Sequence, residues 1–261
     1  MNARELIDFF KIHSIELKIA DGNIKCKAPK GFMTAELLAH LKNNKQEILA
    51  CLASSGANQQ TIARRPDGAA YEVSFAQQRL WFLDQLASGS AFYNMPTAVR
   101  LNGFLDESAL TRALNEIVRR HEILRSTFTA VDGKPVAVIA PSLTLQLPVA
   151  DLTDLPRGER NAKAQWLLQQ DAQAPFNLTA GPLIRAGLIR LDSTEHIVFL
   201  NLHHIISDVW SLGIVVKEVA ALYAAYAQGL PSPLPELPIQ YADFTHWQRR
   251  WLSGDVLQKQ I

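Results

Sequence analysis

The sequence contains little cysteine, the residue that forms disulfide bonds and thiolate metal sites. Its 261 residues include two cysteines, Cys26 and Cys51, which do not form a CxxC pair. This excludes a disulfide framework and favours a reducing, cytoplasmic compartment. Two adjacent histidines, His203 and His204, stand without an HExxH sequence or a cysteine cluster, so we expect no metal site.

Excess charge and long apolar runs are also lacking. The formal net charge is +1, and no basic run with interleaved aromatic residues suggests a nucleic-acid partner. The first residues lack the basic and then apolar pattern of a signal peptide. The most apolar segment, 212–227, contains Lys217 and Glu218 and is short for a bilayer span. We therefore expect a cytoplasmic protein that is not bound to a membrane.

The sequence does contain two apolar-rich parts, which a polar segment separates. Residues 55–70 include one large apolar residue, Ile62, and cannot bury a core. This composition predicts a flexible linker. The predicted domains are therefore residues 1–54 and residues 71–261.

The first part shows the pattern of a small α+β unit. Apolar residues at helical spacing over 5–12 predict a helix, and alternating residues on both sides of 21–23 predict a β-hairpin. Helix-start signals at Thr34 and Asn44 predict two further helices. A unit of this size is marginal alone, so pairing with a partner or with itself would stabilise it.

The second part mixes strands and helices without strict alternation, which predicts a two-layer α+β or α/β sandwich. A strap with four prolines over 231–238 interrupts the pattern. The predicted helices cover 75–86, 106–118, 159–173, 212–222 and 241–252, and the predicted strands cover 97–101, 136–139, 183–191 and 196–202.

The two histidines follow the predicted strand 196–202, and Asp208 lies four residues after His204. A strand that delivers a histidine to a turn beside a carboxylate can hold a general base in a cleft. The alternative is a hydrogen-bonded structural pair at the end of a strand. The local pattern alone leaves both interpretations open.

Four segments, taken together, resemble the first four core motifs of the condensation domain of nonribosomal peptide synthetases. The resemblance implies a chloramphenicol-acetyltransferase-like α/β sandwich lobe, one half of a pseudo-dimer with the active site between its lobes. Residues 71–261 would be the N-terminal lobe, without the C-terminal lobe. The flanking segments 92–96 and 100–106 resemble the subtype that joins an L-configured donor to an L-configured acceptor. The four motif segments are 74–83, 120–128, 203–209 and 241–248.

This resemblance implies amide formation between two thioesters that donor and acceptor peptidyl carrier domains present on phosphopantetheine, with no cofactor bound to this chain. His204 matches the catalytic histidine of the family, acting as a base or by positioning the amine. His203 and Asp208 complete the motif. We expect His203 to be structural and Asp208 to orient the loop through an ion pair with Arg125. Alternatively, Arg125 caps a helix or lies in a surface pair.

Further residues bear on the predicted site. Arg79 either supports it or lies in a surface pair, and Trp210, like Trp81 and Trp247, is expected in the core. Val209 stands where the family has glycine. A β-branched residue would be strained there if φ were positive. We expect Val209 to narrow the acceptor side of the cleft and to lower or abolish turnover.

The first part resembles the N-terminal docking domain of the tubulysin-synthetase type. This implies that the hairpin receives the C-terminal peptide of an upstream synthetase by strand addition, and that the domain can form a homodimer. An outward row of Lys18, Lys25 and Lys27 would suit an acidic peptide. Alternatively, these lysines only protect an edge strand. The resemblance rests on 15–17, 22–24, 27–31 and 45–49.

The leading hypothesis is thus part of a synthetase, inactive as a separate chain. One rival is a docking or carrier-recognition module in which Val209 marks lost catalysis. Another is a related acyltransferase that shares the histidine motif. The docking unit argues against this last rival, because a simple acyltransferase has no upstream chain to receive.

Overall fold

The computed structural model of the protein describes two compact units, Met1–Thr61 and Ile62–Ile261. Each unit has its own apolar core. The described residues are 6, 9–10, 15–20, 23–27, 35–49, 62–66, 68, 70–87 and 89–253.

The first unit contains an antiparallel hairpin and helical segments. Strand β1 (Glu16–Ala20) pairs with β2 (Asn23–Lys27), and helix α1 covers Ala35–Asn43. Residues 45–49 are also helical. These elements confirm the predicted hairpin and the two helices that follow it. Most of the helix predicted over 5–12 lies outside the described residues, as do the hairpin turn and Thr34. The core of this unit is formed by the buried side chains of Leu6, Phe10, Ile15 and Ile48.

The described part of the second unit contains two sheets. The strands in chain order are β3 (Ala70–Glu72), β4 (Asn94–Asn102), β5 (Ser126–Val131), β6 (Lys134–Ile139), β7 (Val149–Asp151), β8 (Ile184–Asp192) and β9 (Glu195–His203). One sheet has the order β3-β6-β5 and the other the order β4-β9-β8-β7. Among the strands that the structure describes in this unit, only β7 and β8 pair in parallel.

Five helices accompany these sheets in the described part of the second unit. They are α2 (Phe75–Leu86), α3 (Glu107–Arg120), α4 (Arg157–Gln173), α5 (Val209–Tyr226) and α6 (Tyr241–Trp251), with a 3₁₀ turn at Glu122–Arg125. The side chains of Ser74, Asp106 and Asp208 cap α2, α3 and α5 by accepting backbone N–H groups. Local capping chemistry therefore fixes where these helices begin.

The four-stranded sheet has helices on both faces because its strands alternate apolar residues between two cores. Leu200 and Leu202 of β9 belong to the core shared with α3 and α5. Ile197 and Phe199, one position out of step, pack on the side of α4. This arrangement confirms the predicted α+β fold class.

Helix α5 is long and apolar enough, by length and composition alone, to cross a membrane. It nevertheless begins at the capping residue Asp208, and its Val215 and Leu222 lie in the core of the second unit. These residues make α5 part of that core, and a single apolar helix is weak evidence for a membrane span. The cytoplasmic location stays a prediction.

The described part of the predicted linker includes contacts within the second unit. The Arg65 guanidinium donates to Glu122 Oε2 at 2.9 Å and to Asp243 Oδ1 at 3.1 Å. The Arg65 backbone N–H also donates to Asp243 Oδ1, at 3.0 Å. Arg65 is therefore fixed to the second unit. The domain bounds at 54 and 71 stay a prediction.

Candidate active site

The two adjacent histidines occupy different environments. His203 ends β9 and is paired with Asn94, whose side chain binds carbonyl groups at the end of α4. Its side chain is 1% exposed and lies between the rings of Tyr93 and Phe176, with centroids 6.1 and 6.2 Å away. His204 lies past the strand, where it is exposed in the wall of a cavity.

Hydrogen bonding and burial keep His203 neutral. Its Nδ1 accepts the Ile205 backbone N–H at 3.1 Å, so the ring proton is on Nε2. Burial, and then the neighbouring His204 imidazole, lower the pKa of His203 to about 4. An enclosed, neutral ring agrees with the structural role expected for His203.

His204 has the hydrogen-bond pattern of a base. Its backbone N–H donates to Tyr93 O at 2.8 Å, and its Nδ1 lies 2.8 Å from Ser207 O. A carbonyl oxygen can only accept, so Nδ1 carries the proton and donates. The lone pair is therefore on Nε2, which is free to accept a proton from a substrate.

The cavity beside His204 has a volume of about 400 Å³, in the range of small-molecule sites. Apolar side chains line most of it. In the described residues, no cluster of three or more His, Cys, Asp or Glu side chains could hold a metal ion. Its polar lining residues are Gln77, His121, His204, Ser207, Asp208, Ser211, Gln240 and Tyr241.

Asp208 shapes the loop by capping α5. Its Oδ1 accepts the Ser211 backbone N–H at 2.7 Å and the Ser211 hydroxyl at 2.6 Å. These two bonds to Ser211 lower the pKa of Asp208, with a smaller contribution from the His204 imidazole. The carboxylate thus fixes the point at which the histidine loop becomes a helix.

The predicted ion pair between Asp208 and Arg125 is wrong. Arg125 donates from Nε to Val118 O at 3.1 Å, from Nη2 to Arg119 O at 3.2 Å and from Nη1 to Ala140 O at 2.6 Å. Carbonyl groups at the end of α3 lack partners within the helix, and a guanidinium can satisfy several of them at once. Arg125 therefore supports the end of α3.

Gln77, which was not among the predicted site residues, connects the first motif to the histidine loop. Its side chain is 3% exposed. Oε1 accepts the Ser74 N–H at 3.0 Å, and Nε2 donates to Ile205 O at 3.1 Å. The Ser-x-x-Gln capping pattern was the available signal. Arg79, by contrast, is exposed, and its side chain forms no hydrogen bond with another described residue.

The fourth motif closes the cavity from α6. The hydroxyl of Tyr241 lies 3.0 Å from Ser74 Oγ. Burial raises the pKa of Tyr241, and the charge of Asp208 acts in the same direction. Tyr241 is therefore a neutral phenol in the cavity wall. Gln240, just before α6, donates to Arg120 O at 2.9 Å and so joins the second and fourth motifs.

Val209 and Trp210 begin α5 with side chains that are 80% and 81% exposed. The core position predicted for Trp210 is wrong, because the first turn of α5 directs it to solvent. Trp81 and Trp247 are half-buried. Val209 is helical, and Asp132 is the one described non-glycine residue with positive φ. The strain considered for Val209 does not arise, while its effect on turnover stays a prediction.

Family models match both parts of the chain. Residues 4–53 match the TubC N-terminal docking domain, and residues 68–261 match the Condensation domain. One of the proteins that form the linear gramicidin synthase of Brevibacillus parabrevis is 47% identical over 196 residues, which are 75% of this chain and 2% of that protein. Chondramide synthase cmdD of Chondromyces crocatus is 47% identical over 189 residues, 72% of this chain and 5% of that one.

Solved structures share the fold. The starter condensation domain of rhizomide synthetase RzmA has a TM-score of 0.66 at 24% identity, over 72% of this chain and 45% of that chain. The first condensation domain of the CDA synthetase has a TM-score of 0.65 at 22% identity, over 72% and 48%. The chain thus spans less than half of each of these relatives. It belongs to the condensation-domain family of nonribosomal peptide synthetases and carries a TubC-type docking domain before the condensation segment.

Proposed function

We propose that the chain supplies the histidine-bearing lobe of a condensation domain that joins a peptidyl donor to an aminoacyl acceptor. Both substrates would arrive as thioesters on partner carrier domains. The observation that carries the proposal is the geometry of His204: Nδ1 is held by Ser207 O at 2.8 Å, and Nε2 is left as an acceptor beside the cavity. Asp208 and Gln77 hold the loop in which this ring lies.

In the proposed reaction, the acceptor amine attacks the carbonyl carbon of the donor thioester. Nε2 of His204 accepts one proton from the amine nitrogen as the C–N bond forms, and returns it to the sulfur as the C–S bond breaks. The products are an amide and a free thiol. Phosphopantetheine on the partner carriers would supply the thioester. The cavity, with a mostly apolar lining, has room for the end of such an arm and limits water that would hydrolyse the donor.

For the first unit, we propose docking of the C-terminal peptide of an upstream synthetase on the hairpin. In the described residues β1 and β2 form a two-stranded sheet, so each strand has an edge that an extended peptide could pair with. Lys18 is opposite Lys25 in the register, and Lys27 is opposite Glu16. Their side chains lie outside the described part of the structure. Peptide binding that weakens when Lys25 is changed to Glu would support this role, whereas unchanged binding would contradict it.

The catalytic proposal can be tested by reconstitution. Donor and acceptor carriers, each loaded with its thioester, are mixed with a condensation domain that contains this chain and a second lobe. Mass spectrometry of the acceptor carrier should then show the amide product, and the 261-residue chain alone should give none.

Other outcomes would overturn parts of this proposal. Carrier binding without amide formation would favour the alternative of a recognition module with degenerate catalysis, which Val209 in the glycine position motivates. Amide formation by the separate chain would show that the second lobe is unnecessary.

A further inference from the structure

The cavity wall contains a second imidazole, that of His121 in the second motif. Its backbone position is fixed from both sides. The His121 N–H donates to Ile117 O at the end of α3, and its carbonyl accepts the Leu124 N–H, both at 3.0 Å. These two bonds hold the backbone of His121 at the end of α3.

Glu218 of α5 sets the orientation of this ring. His121 Nε2 lies 2.8 Å from Glu218 Oε2, and Arg120 Nε lies 3.4 Å from the same oxygen. Burial raises the pKa of Glu218, but its bonds with His121 and Arg120 outweigh this effect and leave the pKa below its usual value. Glu218 is therefore an ionised acceptor, and His121 Nε2 must be the donor.

The remaining ring nitrogen of His121 is Nδ1. It makes no hydrogen bond to another residue in the described part of the chain, and in the neutral ring it has a free lone pair. His204 presents the matching pattern, with Nδ1 engaged and Nε2 free. Two imidazole acceptors thus line one cavity, and each is oriented by a separate oxygen partner.

We propose that His121 Nδ1 binds the acceptor amine, accepting one of its N–H groups while His204 Nε2 receives the other proton. This inference rests on the proposed function. A neutral primary amine has two N–H groups and one lone pair. If each imidazole accepts one N–H, the lone pair is left for the thioester carbon, which is the orientation that the attack requires.

The arrangement makes the site selective for primary amines. A secondary amine, such as an N-methylated aminoacyl group, has one N–H and can satisfy only one of the two imidazoles. Leaving a polar group without its partner reduces specific recognition. We expect the loss of one such contact to reduce kcat/KM by about tenfold, which corresponds to about 1.4 kcal/mol.

The test uses a complete condensation domain containing this chain, with alanyl and N-methylalanyl groups loaded on the acceptor carrier. The measured quantity is the ratio of kcat/KM for the two acceptors. His121→Leu should lower the preference for the alanyl acceptor by about tenfold. His121→Asn should retain most of it, because Oδ1 can replace Nδ1 as the acceptor. His246→Leu, a matched change outside the cavity wall, should leave the ratio unchanged.

The outcomes separate this inference from the proposed function. A structural defect would lower kcat/KM for both acceptors and leave their ratio unchanged. If His121→Leu reduces both values equally, or changes neither, the amine-binding role is therefore wrong. If His204→Ala reacts as fast as the unchanged protein, the proposed function of His204 is wrong whatever the ratio. Loss of activity in His204→Ala supports the proposed function. A lower preference of His121→Leu for the alanyl acceptor supports the amine-binding role.

Discussion

The two faces of the four-stranded sheet differ at the end where β9 stops. On the α4 face, His203 is enclosed among rings and bonded to the backbone, while on the other side His204 opens to the cavity. The two residues are neighbours in sequence and the same in chemistry. Their surroundings alone make one ring a part of the packed structure and leave the other available for proton transfer.

Polar side chains close the α4 face. Asn94 donates to Ala172 O and Ala174 O, both at 2.8 Å, and Asn201 donates to Asp171 O at 2.9 Å. These carbonyls belong to the end of α4, where intrahelical donors run out. The face that holds His203 is therefore held by side-chain bonds to the backbone of α4, whereas on the cavity side the Nδ1 of His204 is engaged and its Nε2 is left as an acceptor.

The largest expected effect is on the cavity face. His204→Ala should lower kcat for amide formation by roughly 10² to 10⁴, the usual contribution of a positioned general base. Because His204 is exposed, the free energy of unfolding should change by about 0.5 kcal/mol or less. Both are measurable, by product formation in the complete domain and by urea unfolding of this chain. If His204→Ala keeps more than about a tenth of the rate, the loss is smaller than removal of a general base should cause, and the proposed role is contradicted.

The next effect is on the enclosed face and concerns pH. The pKa of His203 is about 4, against 6.5 for a free histidine, so the folded chain disfavours the protonated ring. The contribution of His203 to the free energy of unfolding is complete above pH 6.5 and is lost as the pH falls towards 4, because the unfolded chain binds the proton first. Between about pH 7.5 and 5, the unchanged protein should lose roughly 2 kcal/mol through this group.

His203→Asn is the matched variant, since Oδ1 can still accept the Ile205 N–H but does not titrate. Urea unfolding at the two pH values should show a smaller pH-dependent loss in this variant than in the unchanged chain. His204→Asn should keep most of the loss, because burial is the larger cause of the lowered pKa of His203 and the His204 imidazole the smaller one. If His204→Asn, rather than His203→Asn, removed the pH dependence, the comparison between the two faces would be reversed.

A smaller effect is expected where α2 is joined to the histidine loop. Gln77→Ala removes the bonds to the Ser74 N–H and to Ile205 O, and leaves buried groups without partners. It should destabilise the chain by about 1–3 kcal/mol and slow amide formation as the loop loosens. Gln85→Ala, at an exposed position of the same helix, serves as the control for urea unfolding and rate. Equal stability of the two variants would show that Gln77 does not support the loop.

The last and smallest effect on the reaction is expected at Val209. Because this residue is exposed in the first turn of α5, Val209→Gly should cost less than about 1 kcal/mol of stability. We expect the rate of amide formation in the complete domain to rise, since the glycine would let the substrate approach the backbone. Equal rates for the two proteins would show that valine does not narrow the cleft.

The sequence predicted those features that depend on local pattern. The hairpin of the first unit, the capped helices and the strand leading to His203 follow from periodicity and capping chemistry. The strands β3, β5 and β7 were not predicted. Strands β3 and β7 have three residues each, which is too short to show a period, and they become strands through their partners.

Features that join distant parts of the chain were harder to predict. Gln77 and Ile205 are far apart in sequence, and nothing local indicates that they meet. The partner of Asp208 was mistaken because long-range charge complementarity was given more weight than the nearby Ser211. A carboxylate just before a helix can accept the nearby N–H groups of the first turn, and Asp208 does so at Ser211.

The contacts of Arg65 have a mechanical consequence. Its guanidinium joins the 3₁₀ turn at Glu122 to α6 at Asp243, and it precedes the first strand of the unit. A mechanical force applied to the chain before Ile62 would therefore act on the two ion pairs of Arg65 before it acted on β3. The elements around the cavity would therefore keep their spacing until the contacts of Arg65 with Glu122 and Asp243 broke.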